Sequence, residues 1–155
     1  MIQFKPYPLN DVQDLRNLLS NNAFPESLND LLECKAFVVE DGNRVMGLCT
    51  YEFLNEHLAV VRSIYITPEE RGNKFGDALI RSVLNSIEIH GRNHVIFLGN
   101  SDELKFYSHV GMEPFDESVL ALDGVKSKLP IGFDPLNGLY LNSIKDFFAK
   151  PCKGH

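Results

Sequence analysis

The amino-acid sequence predicts one α/β domain of 155 residues, built on a mixed and mostly antiparallel central sheet flanked by helices. Two observations predict this class. The first half contains short strand patterns separated by turns, as in an antiparallel meander. The second half runs strand, long helix, strand, helix, and a helical crossover of this kind joins parallel strands. At least one parallel strand pair is therefore expected.

The first half begins with a strand at Ile2–Tyr7, followed by a helix that Asn10 or Asp11 caps and that runs through Leu19. A second short helix is predicted at 26–33 from the spacing of its leucines. Three strands follow, at 36–40, 45–53 and Leu58–Ile66. Their turns are predicted at Asp41-Gly42-Asn43 and near Asn55-Glu56-His57.

The second half opens with a long amphipathic helix at 73–90, which Gly91 can end. The continuous apolar run at 95–98 predicts a strand buried on both faces. A helix at Ser101–Val110 follows, capped by Asn100 or Ser101 and stopped by a glycine.

The chain beyond Met112 has weaker patterns. They predict a strand at 118–122 and a helix at 139–149. Residues 116–155 are therefore an atypical C-terminal segment, whose expected roles are to close a substrate site or to form a homodimer contact.

Composition excludes several classes of protein. Hydrophobic residues make up 44% and charged residues 23% of the chain, which excludes wholesale disorder. A net charge of −6 argues against a general nucleic-acid binder, and no apolar run is long enough to span a membrane. Three cysteines without a Cys/His cluster predict no metal site and a reduced, cytoplasmic setting. The acidic first half either favours a cationic partner or is solvated surface.

The most informative stretch runs from Ile64 to Gly76, where a strand ends and a glycine-containing loop leads into a helix. A helix N-terminus offers unpaired N–H groups and a partial positive charge, which suit a phosphate. Gly72 lets the backbone approach an anion closely, and Arg71 and Lys74 add positive charge. An alternative is a capping box at Thr67-Pro68-Glu69-Glu70, but Gly72 would interrupt that helix, which favours a turn.

A second stretch, from Asn100 to Met112, follows the buried strand and carries Tyr107 on a short helix. A tyrosine hydroxyl with an ordinary pKa of about 10 can donate a proton. The alternative is that Tyr107 and Phe106 are core aromatics.

Together the two stretches resemble the GNAT superfamily of acyl-CoA-dependent N-acetyltransferases. Its first motif, hydrophobic-x-P-x-x-R-G-x-G-x-G, is similar to Ile66 through Gly76, with Lys74 at a glycine position. Its second motif, N-x-x-A-x-x-F-Y-x-x-x-G-F, is similar to Asn100 through Met112, with methionine for the final phenylalanine. The resemblance implies a GNAT-like sheet with one splayed parallel strand pair.

The resemblance also implies acetyl-CoA as the cosubstrate and an amine of a small molecule or peptide as the acceptor. The backbone of Ile64 and Ile66 would pair with the pantetheine arm, and Asn100 would bond it. Backbone N–H groups of the loop would hold the pyrophosphate: Arg71, Gly72, Asn73, Lys74, Phe75 and Gly76. Lys74 is expected in the first helical turn, where no positive φ is needed. Tyr107 would face the cofactor sulfur as general acid.

The general base is harder to assign. The family often places a glutamate on the strand before the first motif, and here that strand, Leu58–Ile66, has no carboxylate. Glu52 is the candidate base, with Glu56 and His57 as alternatives, and each also fits a hairpin surface residue. Arg62 has the alternation parity of Ile64, so it either binds an acceptor carboxylate or extends to solvent.

The function predicted is therefore acetyl transfer from acetyl-CoA to an amine. The missing strand carboxylate and Lys74 leave open a non-catalytic CoA-binding or regulatory module. A third alternative is a protein-interaction domain that uses the helix predicted at 139–149.

Overall fold

The structure, a computed structural model, describes residues 1–25, 34–114 and 138–149. The helix predicted at 26–33 and the strand predicted at 118–122 lie outside these ranges. The elements within them are β1 (Ile2–Tyr7), α1 (Val12–Asn21), β2 (Lys35–Asp41), β3 (Arg44–Phe53), β4 (Leu58–Ile66), a 3₁₀ turn (Pro68–Glu70), α2 (Phe75–Ile89), β5 (His94–Phe97), α3 (Ser101–Val110), β6 (Glu113–Pro114), β7 (Leu139–Leu141) and α4 (Ile144–Ala149).

The described strands form one sheet in the order β1-β2-β3-β4-β5-β7-β6, and its mixed, mostly antiparallel character is the one that the sequence predicts. The β4–β5 pair is parallel, and the crossover helix α2 joins the two strands. Its ladder runs from the pair Leu58 and His94 to the pair Val61 and Phe97. The N–H of Leu98 then donates to the Val61 carbonyl at 3.0 Å, while β4 continues to Ile66.

The chain divides into two compact units, Met1–Glu52 with Arg62–Leu84, and Phe53–Val61 with 85–155. In the first unit, Asp11 caps α1 by accepting from the Asp14 N–H at 2.9 Å. The apolar face of α1 packs on the central strands, with core residues Leu15, Leu18, Leu19, Phe24, Ala36, Val38, Val45 and Leu48. The core of the second unit includes Leu58, Val60, Ile96 and Leu98.

Local signals fix the ends of the two longer helices in the second half of the chain. The observed α2 is shorter at both ends than the predicted 73–90, and Gly91 follows it with a φ of 89°. The bounds of α3 are those predicted, with a capping box between Asn100 and Glu103 and with Gly111 at the C-cap. No helix within the described ranges is long and apolar enough to cross a membrane.

The helix predicted at 139–149 is wrong in its first part. Residues Leu139–Leu141 form β7, which pairs antiparallel with β5, and only Ile144–Ala149 is helical. Leu139 and Leu141 are buried on either side of the more exposed Tyr140, which is the two-residue period of a strand. The sequence spacing was ambiguous because leucine fits both periods, and the pairing partner lies more than forty residues away.

Gly47 lies where β3, β2 and the end of β4 approach one another closely. A Cβ at this position would lie 2.5 Å from Ile66 Cδ1, 2.8 Å from Val39 Cγ1 and 3.0 Å from the Tyr65 carbonyl oxygen. We expect Gly47→Ala to lower the free energy of unfolding by about 1–3 kcal/mol, because the carbonyl oxygen cannot rotate away. Urea denaturation measures this loss. The exposed control Lys105→Ala should change it by less than about 0.5 kcal/mol, and an equally small effect at Gly47 would contradict the expected clash.

Candidate functional site

The segment between β4 and α2 is a turn followed by an extended loop. Pro68–Glu70 forms one 3₁₀ turn, and the Thr67 side chain makes no capping hydrogen bond there, so the alternative capping box is not formed. The backbone is extended at Arg71 and takes positive φ at Gly72 (93°) and Lys74 (62°) before α2 begins. The preference for a turn is confirmed.

The expectation that Lys74 would be a first-turn helical residue is wrong. Its φ of 62° is left-handed, and the helix begins one residue later at Phe75. The Lys74 carbonyl accepts from the Ala78 N–H at 3.2 Å, so Lys74 lies at the N-cap of α2. A left-handed backbone costs an L-residue with a side chain about 1–2 kcal/mol, which explains why glycine suits this motif position.

We expect Lys74→Gly to stabilise the protein without ligand by up to about 1 kcal/mol, because relief of the left-handed strain exceeds the entropy that glycine adds to the unfolded chain. Thermal denaturation should show a Tm higher by roughly 2–4 °C. Lys74→Ala removes the same charge but keeps a Cβ, so it should give no such gain. Equal Tm values for the two variants would contradict the strain.

Ion pairs compensate the acidic side chains on either side of the loop. Arg44, at the start of β3, binds Glu69 at 3.0 Å and Glu70 at 3.2 Å. In the first turn of α2, Asp77 pairs with Arg81 at 3.3 Å. These partly exposed pairs contribute little to stability. They reduce the repulsion that three carboxylates would exert on an anion at the loop.

Arg71 is held against the end of β4. Its Nε donates to the Ile66 carbonyl at 2.9 Å, and its guanidinium carbon lies 5.5 Å from the centre of the Tyr65 ring. The Tyr65 ring packs in turn on Phe24 at a centroid distance of 5.1 Å. Arg71 therefore fastens the loop to the core of the first unit, in addition to the positive charge that it brings.

The loop leaves its backbone accessible. Residues 71–74 are exposed, and a Cβ added at Gly72 would meet no atom within 4 Å. A backbone that changes between negative and positive φ directs successive N–H groups into a concavity of the kind that binds anions. At the start of the loop, the Thr67 hydroxyl is buried and has no hydrogen-bond partner within the described residues. These features fit a diphosphate group.

Glu52, the candidate base, lies in a polar cluster. Its Oε1 accepts from the Arg62 guanidinium at 3.1 Å and its Oε2 from Arg62 Nε at 3.3 Å. The Cys34 thiol lies 3.8 Å from Oε2. The Glu52 side chain is only 18% exposed, so it is not an open surface residue of the hairpin, whereas Glu56 and His57 are exposed at the turn.

Asn100 and Tyr107 lie in the second unit, at the two ends of α3. The Asn100 side chain accepts from the Glu103 N–H at 2.9 Å in the capping box, so one function of this residue is to begin the helix. Tyr107 is fully buried, with its ring centroid 5.0 Å from that of Phe97. Its hydroxyl is buried as well, which fits the core-aromatic role that the sequence allowed, and the role of proton donor stays a prediction.

The model of the acetyltransferase (GNAT) family matches residues 7–112. The chain belongs to this family. The match covers both motifs singled out in the sequence, the loop before α2 and the segment from Asn100 to Met112, and it confirms the resemblance that they carry.

Solved structures with the same GNAT fold cover nearly the whole chain. GCN5 of Tetrahymena is 14% identical with a TM-score of 0.69, over 89% of this chain and 94% of its own. A GNAT acetyltransferase from Elizabethkingia anophelis with acetyl-CoA bound is 14% identical, with a TM-score of 0.61 over 91% and 97%. A mutant of the toxin AtaT, bound to the C-terminus of the antitoxin AtaR and acetyl-CoA, is 13% identical, with a TM-score of 0.60 over 96% of both chains. No curated protein matches the sequence.

Two features of this GNAT site were missed by the sequence analysis. Arg44 lies far from the loop in sequence and binds both of its glutamates, and only the pairing of β3 with β4 brings it there. The sequence did indicate the left-handed conformation of Lys74, because the family motif has glycine at that position.

Proposed function

We propose that this GNAT chain transfers the acetyl group of acetyl-CoA to a primary amine of a small molecule or peptide. The observation that carries the proposal is the exposed loop at 71–74, whose positive φ values at Gly72 and Lys74 prepare backbone N–H groups for an anion in front of α2. The family match and the neighbours solved with acetyl-CoA support the same donor.

The residues suited to hold acetyl-CoA lie on three segments. Backbone N–H groups at Gly72, Asn73, Lys74, Phe75 and Gly76 hold the diphosphate. The Arg71 N–H, which the family resemblance also gave this role, already donates to the Pro68 carbonyl at 3.3 Å, so Arg71 contributes its side-chain charge instead. Backbone groups of Ile64 and Ile66 pair with the pantetheine arm in the manner of an added strand, and Asn100 bonds the same arm. The bound cosubstrate supplies an acetyl thioester, which an amine can attack directly.

Two side chains move protons in the proposed reaction. Glu52 receives the proton that the amine loses as its nitrogen bonds to the carbonyl carbon, and Arg62 orients this carboxylate through two hydrogen bonds until the acceptor binds. Tyr107 gives its hydroxyl proton to the sulfur as the carbon–sulfur bond breaks. A tyrosine pKa of about 10 and a thiol pKa of about 8.5 are close enough for this transfer. A backbone N–H of β4 stabilises the charge that develops on the carbonyl oxygen.

The setting proposed for the protein is the cytoplasm. The two cysteines in the described ranges, Cys34 and Cys49, are buried thiols outside any disulfide, which suits a reducing compartment. For residues 116–155, the proposed roles are to close the acceptor site or to form a homodimer contact.

Release of free CoA over a panel of primary amines tests the activity. We expect acetyl-CoA to raise the Tm and at least one amine to release CoA, with a matched tertiary amine giving none because it has no N–H to lose. An acetyl-CoA-induced rise in Tm with no release for any amine would instead support the non-catalytic CoA-binding module.

A further inference from the structure

A cluster of polar side chains crosses strands β3 and β4 in the first unit. We call it the β3–β4 polar cluster: Glu52 and Arg62, with the Cys34 thiol 3.8 Å from Glu52 Oε2. Its centre is the Arg62–Glu52 ion pair, with two N–H groups on two carboxylate oxygens at 3.1 and 3.3 Å. On the same two strands, the buried hydroxyls of Thr50 and Ser63 bond each other at 2.7 Å.

This ion pair is expected to add little to the free energy of folding. The Arg62 and Glu52 side chains are 15% and 18% exposed, so both charges are largely desolvated. Desolvation offsets most of the attraction in such pairs, and apolar residues of the same volume are often equally stable or more stable. A largely desolvated ion pair that contributes little to folding points to a ligand.

The position of the cluster relates it to the proposed reaction. Arg62 lies on β4 two residues before Ile64, which is about 7 Å along a strand. The inference rests on the proposed function, in which the Ile64 backbone pairs with the pantetheine arm. Under that arrangement the cluster lies beside the acyl end of the arm, where the acceptor amine must arrive.

We propose that Glu52 and Arg62 together bind an acceptor that carries a carboxylate beside its amine, as a free amino acid or a peptide with a short acidic N-terminus does. The acceptor arrives as an ammonium ion paired with Glu52 and releases one proton to solvent to become the neutral nucleophile, while its carboxylate forms two hydrogen bonds with the Arg62 guanidinium. Each charge of the protein thus exchanges one partner for another and stays paired. The planar guanidinium binds a carboxylate through two parallel hydrogen bonds, so it selects this group by geometry as well as by charge.

The test compares matched acceptors. Each standard L-amino acid is assayed beside its α-carboxamide, which keeps the amine and the side chain but has no carboxylate. We expect the best amino acid to exceed its amide by at least about ten-fold in kcat/KM, mainly through a lower KM, since one charge-assisted bidentate contact is worth this much or more. Arg62→Gln should bring the ratio close to one, and Arg62→Lys should give an intermediate ratio because it keeps the charge without the fork.

A second variant separates recognition from folding. Arg62→Gln leaves the Glu52 charge without this partner, so Arg62→Lys, which keeps a positive charge beside Glu52 and leaves the base in place, is the variant to read if Arg62→Gln fails to fold. An unchanged acetyl-CoA-induced rise in Tm identifies variants with an intact donor site. Equal kcat/KM for acids and amides in the wild-type protein, or a preference that survives Arg62→Gln, would overturn the inference while the amine acetylation stands. No CoA release with any amine would overturn both.

Discussion

Replacing Tyr107 with phenylalanine is expected to slow acetyl transfer by a factor on the order of 10² to 10⁴, the range typical of a lost general acid. The ring is fully buried and packs on Phe97, and phenylalanine keeps that packing. The variant lacks only the hydroxyl proton for the departing sulfur. The dissociation constant of acetyl-CoA should therefore stay within about two-fold, so that the loss appears in kcat.

Tyr140→Phe is the matched control for this variant. Tyr140 lies on β7, where its hydroxyl bonds His94 Nδ1 at 3.2 Å, and it has no part in the proposed chemistry. The turnover of the Tyr140→Phe variant should equal that of the wild-type protein. If Tyr107→Phe kept full turnover as well, Tyr107 would be a core aromatic only and another group would protonate the sulfur.

Gly76→Trp is expected to abolish the stabilisation by acetyl-CoA. At a concentration of 100 times Kd, a ligand stabilises the folded protein by about 2.7 kcal/mol, which for a chain of this size raises the Tm by roughly 5–11 °C. An indole at the second residue of α2 occupies the space in front of the N–H groups proposed to hold the diphosphate. The thermal shift should therefore disappear in this variant.

Two variants on the same helix control for the bulk of the indole. Asn85→Trp adds the same ring at an exposed position of α2, and Gly76→Ala adds only a methyl group with a better helix propensity. Both should keep the thermal shift. A Gly76→Trp variant that acetyl-CoA still stabilised would place the diphosphate elsewhere.

The elements that the sequence predicted well are those whose determinants are local. The bounds of α3 follow from Asn100 and Glu103 at one end and Gly111 at the other. The hairpin between β2 and β3 follows from Gly42, whose φ is 62°. The strand β7 could not be predicted in this way, because its identity depends on pairing with β5 across a long stretch of chain.

The same distinction between local and long-range determinants applies to the site. The loop before α2 was recognisable because its motif is contiguous, although the left-handed φ of Lys74 is a backbone property that required the structure. The Arg62–Glu52 pair joins two strands, and only their actual register brings these side chains to 3.1 Å. Sequence alternation alone left Arg62 between an acceptor ligand and a solvent-exposed residue.

The most direct test of the account compares the binding of acetyl-CoA with that of S-acetylpantetheine, which lacks the diphosphate and the 3′-phosphoadenosine beyond it, in the wild-type protein and in Gly76→Trp, where the difference should be lost. If the loop N–H groups hold the diphosphate, isothermal titration should give acetyl-CoA a Kd lower by about 100-fold or more, since two charge-assisted hydrogen bonds are worth about 3 kcal/mol or more. Equal Kd values for the two compounds would contradict the proposed anion site in front of α2.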